Sequence, residues 1–349
     1  MPAKLPANTM KSVLVVGLVA VLFSFVSATT KPDFEAYVQK YKSHPLWAEF
    51  GESLSQKEYM TNVYFIRHFK HDTVTLGENV RTGVLPPGAL DALGVQRNTP
   101  PLTVDRFKYS RRLPEFDVAQ IPTPAFWNKT AFDWRTVVNF PKVKHQKRNE
   151  CFAEVAAVVL DVLYQKLYPS DEAHTDFFNP DDLLKCAGHA QGETGMPDQI
   201  YSVRSLFSPS TGCHGEASAI SLNPPIVFCD LWGDSNIEKK ILDMLKIAPV
   251  SVGIESTNRV FRNYKSGILM PSHVQSRQAV VDHAVTVVGF GEAEEEPRLK
   301  YWTIRNSWGE GWGEGGYARI MRFSDPPDPA KGVFNAYAAV VTAAKGLGS

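Results

Sequence analysis

The chain has 349 residues, of which 44% are hydrophobic and 21% charged. Its 37 basic residues are balanced by 37 acidic ones, which argues against a nucleic-acid binder or a polybasic membrane-surface protein. This length holds one large domain or two smaller ones with core enough to fold without staples, and no internal repeat or low-complexity stretch is visible.

Lys4 and Lys11 precede an apolar run from Val13 to Val26 that is short for a membrane span. The run closes on Val26-Ser27-Ala28, small residues placed as signal peptidase requires. Residues 1–28 therefore read as a cleaved secretory signal, with Met10 a second candidate start. That route leads to an oxidising compartment, secreted or lysosome/vacuole-like, with no membrane attachment after cleavage. The sequon Asn128-Lys129-Thr130 makes Asn128 a glycosylation candidate on the same route.

Two amphipathic helices follow, "DFEAYVQKYKSH" and "SQKEYMTNVYFIRHFKHDT", the second with an imperfect stripe of Tyr59, Val63, Phe65, Ile66 and Phe69. Residues 78–125 are aperiodic and interrupted by Pro and Gly, which predicts extended or looped chain. A helix is expected over Cys151–Tyr168. Strands are expected in "APVSVGIES", "HAVTVVGFG", "KYWTIRNSW" and "GYARIMRF", which are rich in Val, Ile, Thr and Tyr. Helices first and strands later favour a segregated α+β fold.

Cysteine becomes a nucleophile when its thiolate is favoured, by a helix N-terminus or by a histidine that takes the proton. Cys151 meets the first condition, at the start of its helix behind the basic run "KVKHQKRN". Of nine histidines, His283 stands out because it opens a strand, "DHAVTVVGFG". Asn306 lies where the strand "KYWTIRN" meets a Gly-rich turn holding Trp308 and Trp312. Each residue alone has an ordinary structural reading, as a buried thiol, a satisfied core histidine and a turn amide.

Together, "DHAVTVVGFG" and "NSWGEGWGEGGYARI" resemble the C-terminal half of papain-like cysteine proteases of the cathepsin L-like type. "FDWRTVVNFPKVKHQ" resembles the start of their mature domain, and "APVSVGIES", "FRNYKSGIL" and "DDLLKC" match between these landmarks. The segment before Phe126 resembles the family's inhibitory propeptide, with Glu58 and Phe65 at matching spacing and Asn62 in place of the usual arginine. The resemblance implies an α+β papain-like fold with a helical left domain and a β-barrel-like right domain. It also implies an active-site cleft between the two and a helical propeptide in front. The domains would be 1–28 signal peptide, 29–125 propeptide and 126–349 peptidase.

The resemblance makes Cys151 the nucleophile, His283 its base and Asn306 the group that orients the imidazole. Gln146 would share the oxyanion hole with the Cys151 amide, and Trp308 would shield the His283–Asn306 bond from water. Substrate would be lined by Gly195, Met196, Gly253, Ala284, Trp308 and Ala339, small or apolar residues that favour bulky apolar or aromatic side chains two residues before the cut. The implied partners are polypeptide substrates, the chain's own propeptide as inhibitor and protein inhibitors of the cystatin type, on a monomer. Acid would release the propeptide by protonating carboxylates that hold it. No His-Glu-x-x-His or Cys-x-x-Cys spacing occurs, so neither metal nor cofactor is expected.

The loop before Cys151 departs from the family. Only Lys147, Arg148, Asn149 and Glu150 separate Gln146 from Cys151, one residue fewer than usual, and Phe152 replaces tryptophan. Such a deletion can move Gln146 off the oxyanion position. Glu150 and Glu154 add negative charge near the thiolate, with little effect if both are solvated. Both halves of two family disulfides are missing together. Cys186 keeps one end of the remaining bridge, with Cys213 or Cys229 as its partner. The alternative function is a papain-fold binding or regulatory protein with weakened catalysis, opposed by the joint retention of Cys151, His283 and Asn306.

Overall fold

A computed structural model describes residues 33–47, 54–85, 123–146, 150–167, 178–181, 220–222, 226–230, 237–274, 283–294, 298–322, 337–341 and 344–346. The signal segment, Gly195, Met196, Cys186 and Cys213 lie outside them, as do the side chains of Phe152, Cys229 and Ala339.

Helix α1 covers residues 33–41 and α2 covers Gln56–His68. The Ser55 hydroxyl caps α2 by accepting from the Glu58 amide at 3.2 Å. The stripe on α2 is imperfect because the helix serves two faces. Tyr59 and Val63 pack with Tyr37 in a small aromatic cluster, whereas Phe65, Ile66 and Phe69 pack against the main core. The helix stops at His68, short of the expected "HDT" tail, and β1 (Val74–Leu76) follows instead.

Helix α3, Cys151–Leu167, agrees with expectation. It is apolar nearly all round, and Ala153, Val155 to Leu160, Val162 and Leu163 are buried. A helix apolar on every face must be covered on every face. Each fully buried Val or Leu contributes roughly 1.5–3 kcal/mol. Helix α4, Ile237–Leu245, is amphipathic, with Ile241, Met244 and Leu245 inside. The short α5 covers Arg259–Arg262.

The strands are β2 (Phe132–Asp133), β3 (Ile220–Leu222), β4 (Ile226–Asp230), β5 (Val250–Ile254), β6 (Tyr264–Leu269), β7 (His283–Glu292), β8 (Lys300–Arg305), β9 (Tyr317–Met321), β10 (Tyr337–Val341) and β11 (Ala344–Gly346). Among the described residues, a 9-stranded sheet runs β1-β6-β9-β8-β7-β5-β10-β4, with β2 also on β7. The four strands read from sequence, β5, β7, β8 and β9, form its centre. Strand β7 is buried along almost its whole length, which explains its run of Ala, Val and Phe. Strand β1 closes one edge, antiparallel to β6, with Val74 opposite Gly267. Gly267 has φ +99, and a Cβ there would lie 2.2 Å from the Thr73 carbonyl oxygen. Only glycine admits β1 that closely. The segment 33–85 thus docks onto the sheet by adding a strand, Phe65 and Ile66 of α2, and Phe69 just after it.

Candidate active site

The candidate residues lie on three elements: Cys151 begins α3, His283 begins β7 and Asn306 follows β8. Cys151 is the first residue of α3 and is buried. The Ala153 and Glu154 amides bond the Glu150 carbonyl at 2.9 and 3.1 Å, which fixes where the helix begins. A thiol at this end lies beside the unpaired amides and the positive end of the helix dipole. Helix α3 packs against β7, which opens at His283.

His283 and Asn306 meet. The imidazole Nε2 stands 2.8 Å from the Asn306 Oδ1. The Ser307 amide donates to the same oxygen at 2.8 Å, so the amide's orientation is set by backbone and the oxygen is the acceptor. His283 Nε2 therefore carries the proton, and Nδ1 is the ring nitrogen left for other chemistry. Trp308 stacks on the imidazole, with centroids 5.1 Å apart and planes at 29°. Trp312 braces Trp308 edge-on and donates through its indole N–H to the Phe261 carbonyl at 3.0 Å. The two tryptophans and the glycines between them are one turn: Asn306 N bonds Gly316 O at 3.0 Å, and Gly309 at φ +77 approaches the His145 ring. A Cβ on Gly309 would lie 1.8 Å from that ring.

Gln146 is buried and tied to the same turn. Its amide donates to the Ser307 carbonyl at 2.8 Å, and the Ser307 hydroxyl donates to its Oε1 at 2.5 Å. With Oε1 accepting, the amide nitrogen is the end that can donate to an oxyanion. The short loop after Gln146 therefore leaves this residue pinned to the Asn306–Trp308 turn. Ser307 is the residue that sequence reasoning missed, although it stands inside the NSWG motif.

The electrostatics depend on the cover. Burial pulls the His283 imidazole down to about 4, opposed by the Asn306 bond and reinforced by the Arg81 guanidinium. Arg81, from the turn after β1, lies 5.0 Å from the Trp308 ring centroid and donates to the Gln146 carbonyl at 3.4 Å. Glu154 corrects the picture of solvated acids near the thiol. It is buried, and burial raises its carboxyl to about 7, partly offset by Arg305 and Lys144. Below neutral pH it carries no charge to oppose the thiolate.

Of the expected lining residues, Gly253 and Ala284 face each other across β5 and β7, one position from His283 and both buried. Ala339 sits in β10 opposite Ser251. Asn128 is exposed, and its Oδ1 accepts from the Thr130 hydroxyl at 2.8 Å. No cluster of three or more potential metal ligands occurs among the described residues.

Residues 230–335 match the family model described as "Papain family cysteine protease". Those residues are similar to papain-family cysteine proteases. Within that family, papaya proteinase 4 of Carica papaya is 45% identical over 100 residues, 29% of this chain and 27% of that protein. A cysteine protease of Blomia tropicalis is 28% identical over 212 residues, 55% of this chain and 60% of its own length. The chain thus spans less than two thirds of these curated relatives. The papain-like fold extends further: the proform of the Amb a 11 cysteine protease, a ragweed pollen allergen, superposes with a TM-score of 0.62 at 16% identity, covering 90% of this chain and 94% of its own.

Proposed function

We propose that this chain is the precursor of a cysteine endopeptidase, with residues 29–125 as its inhibitory propeptide and 126–349 as the peptidase. The single observation that carries the reading is the buried His283–Asn306 bond, under Trp308, on the strand packed against the helix that Cys151 begins. In the reaction the Cys151 thiolate attacks the peptide carbonyl carbon. The Gln146 amide nitrogen and the Cys151 backbone amide receive the oxyanion. His283, protonated at Nδ1, gives that proton to the leaving amine. The acyl-enzyme is then hydrolysed by water that His283 deprotonates. Asn306 holds the ring through both steps.

Latency has a physical basis in the same contacts. His283 is buried and Arg81 of the docked segment lies against Trp308, and both disfavour the imidazolium that a thiolate needs as partner. The small residues Gly253 and Ala284, paired beside His283, support bulky apolar side chains two residues before the cut. The proform fold of the relatives and the exposed sequon support a secretory or vacuolar route.

The test is to acidify the full chain with an epoxide thiol probe and locate the adduct by mass spectrometry. Labelling at Cys151 that disappears in His283→Ala supports the reading. A folded, propeptide-free chain that stays unlabelled overturns it.

A further inference from the structure

Two histidine pairs join the segment 33–85 to the rest of the molecule, each with one ring on either side. His44 meets His145, Nε2 to Nε2 at 3.2 Å, with the rings edge to face at 4.3 Å. His71 meets His273, edge to face at 4.5 Å.

The hydrogen bonds of the first pair fix its protons. The Leu46 amide donates to His44 Nδ1 at 3.2 Å, so that nitrogen is bare and Nε2 carries the hydrogen. His44 Nε2 then donates to His145 Nε2, which must also be bare. His145 Nδ1 is buried. Both rings are therefore neutral as docked, and a further proton on either destroys a bond. Arg81 is the charged group facing this pair. In the second pair, the Met270 amide donates to His273 Nδ1 at 3.1 Å, and Thr73 and Phe69 surround His71. His71 is the titratable group that faces His273.

We propose that the two histidine pairs are an acid-sensitive latch that holds the propeptide at neutral pH and releases it when they take up protons. The proposal rests on reading residues 29–125 as the propeptide. It replaces carboxylates with imidazoles as the principal acid sensor. Burial and His44 pull His145 down to about 4, with Arg81 adding to this, and burial and His71 pull His273 to about 4. A released histidine returns toward about 6.5. The released state thus binds more protons between these values. Docking is full above about 6.5 and weakens as pH falls toward 4, by about tenfold per pH unit per pair. Glu58 holds the same segment through arginines, and it stays unchanged in the test.

The test uses the full chain carrying Cys151→Ser, so its outcome is independent of catalysis. Hydrogen exchange of residues 33–84 is followed from pH 7 to 4, with labelling times scaled for the intrinsic rate. The logarithm of the opening constant is expected to rise with a slope of at least two protons, one from each pair, with His283 adding to it as Arg81 leaves. Replacing one pair (His44→Asn with His145→Gln, or His71→Asn with His273→Asn) is expected to reduce the slope by about one. An unchanged slope in the variant lacking both pairs overturns the latch. As a check that needs no replacement at the pairs, histidine Cε1 resonances of the same Cys151→Ser chain are titrated. His145 and His273 titrating near 6.5 with the segment still docked also overturns it. Failure of thiol labelling in the parent chain would instead count against the peptidase reading.

Discussion

Glu58→Gln tests how the segment 33–85 is held at neutral pH. The family pattern that this helix resembles has an arginine where Asn62 stands. The structure supplies the missing cation from across the interface. Arg262 Nη1 donates to Glu58 Oε1 at 3.2 Å, and their side chains are 8% and 10% exposed. Asn62 fills the space, donating to Glu58 Oε1 at 3.0 Å and to the Thr82 carbonyl at 2.7 Å, while accepting from Arg259 at 3.1 Å. Burial pulls the Arg262 guanidinium down, and Glu58 is the charge that opposes this. Glutamine keeps the shape and the acceptor and removes the charge, which leaves a buried cation without its counterion. Removing one partner of such a pair costs about 3–5 kcal/mol. The cost falls on the docked state alone if Arg262 is hydrated once the segment leaves. Opening of residues 33–84 at pH 7, measured by hydrogen exchange in the Cys151→Ser background, is expected to become about 100-fold or more easier. Replacing both members, Glu58→Gln with Arg262→Met, is expected to recover part of that loss. Opening within threefold of the parent in Glu58→Gln would refute the argument, because a buried ion pair that can lose a charge freely is not holding the segment.

Ser307→Ala removes the hydroxyl that orients Gln146, and about a tenfold fall in kcat with little change in KM is expected in steady-state kinetics of the released enzyme. Asn306→Ala frees the imidazole and is expected to lower kcat/KM by about 10- to 100-fold while Cys151 still labels slowly. Gly309→Ala puts a side chain against His145 in the left-handed region, and thermal denaturation is expected to show a loss of about 2 kcal/mol or more. Glu154 binds its proton more tightly folded than unfolded, so it lowers stability as pH rises from about 4.5 to 7. Glu154→Gln is therefore expected to stabilise the chain by about 3 kcal/mol at pH 8 and by almost nothing at pH 4, read from urea unfolding at both.

The central strands β7 and β8 were legible because they are largely buried and show it in their β-branched runs. The pairing of His283 with Asn306 was legible only through the family pattern, since neither spacing nor composition brings two strands into register. Strand β1 was not legible. It has three residues, and what makes them a strand is the edge of β6 and the bare backbone at Gly267. Helix α4 could have been read, because "IEKKILDML" places Ile241, Met244 and Leu245 on one face. The burial of Glu154 could not, because it depends on what surrounds α3. The role of Arg262 was hidden for the same reason: the sequence displays the missing arginine at Asn62, but only the fold reveals that another takes its place.

The most direct test of the central claim is turnover. The full chain is acidified until residues 33–84 are released, then mixed with a peptide library whose cleavage products are read by mass spectrometry. The account predicts cuts with a bulky apolar or aromatic residue two positions before the scissile bond, and their complete loss in Cys151→Ser. A released, folded chain that cuts nothing, or that cuts equally well as Cys151→Ser, would contradict it.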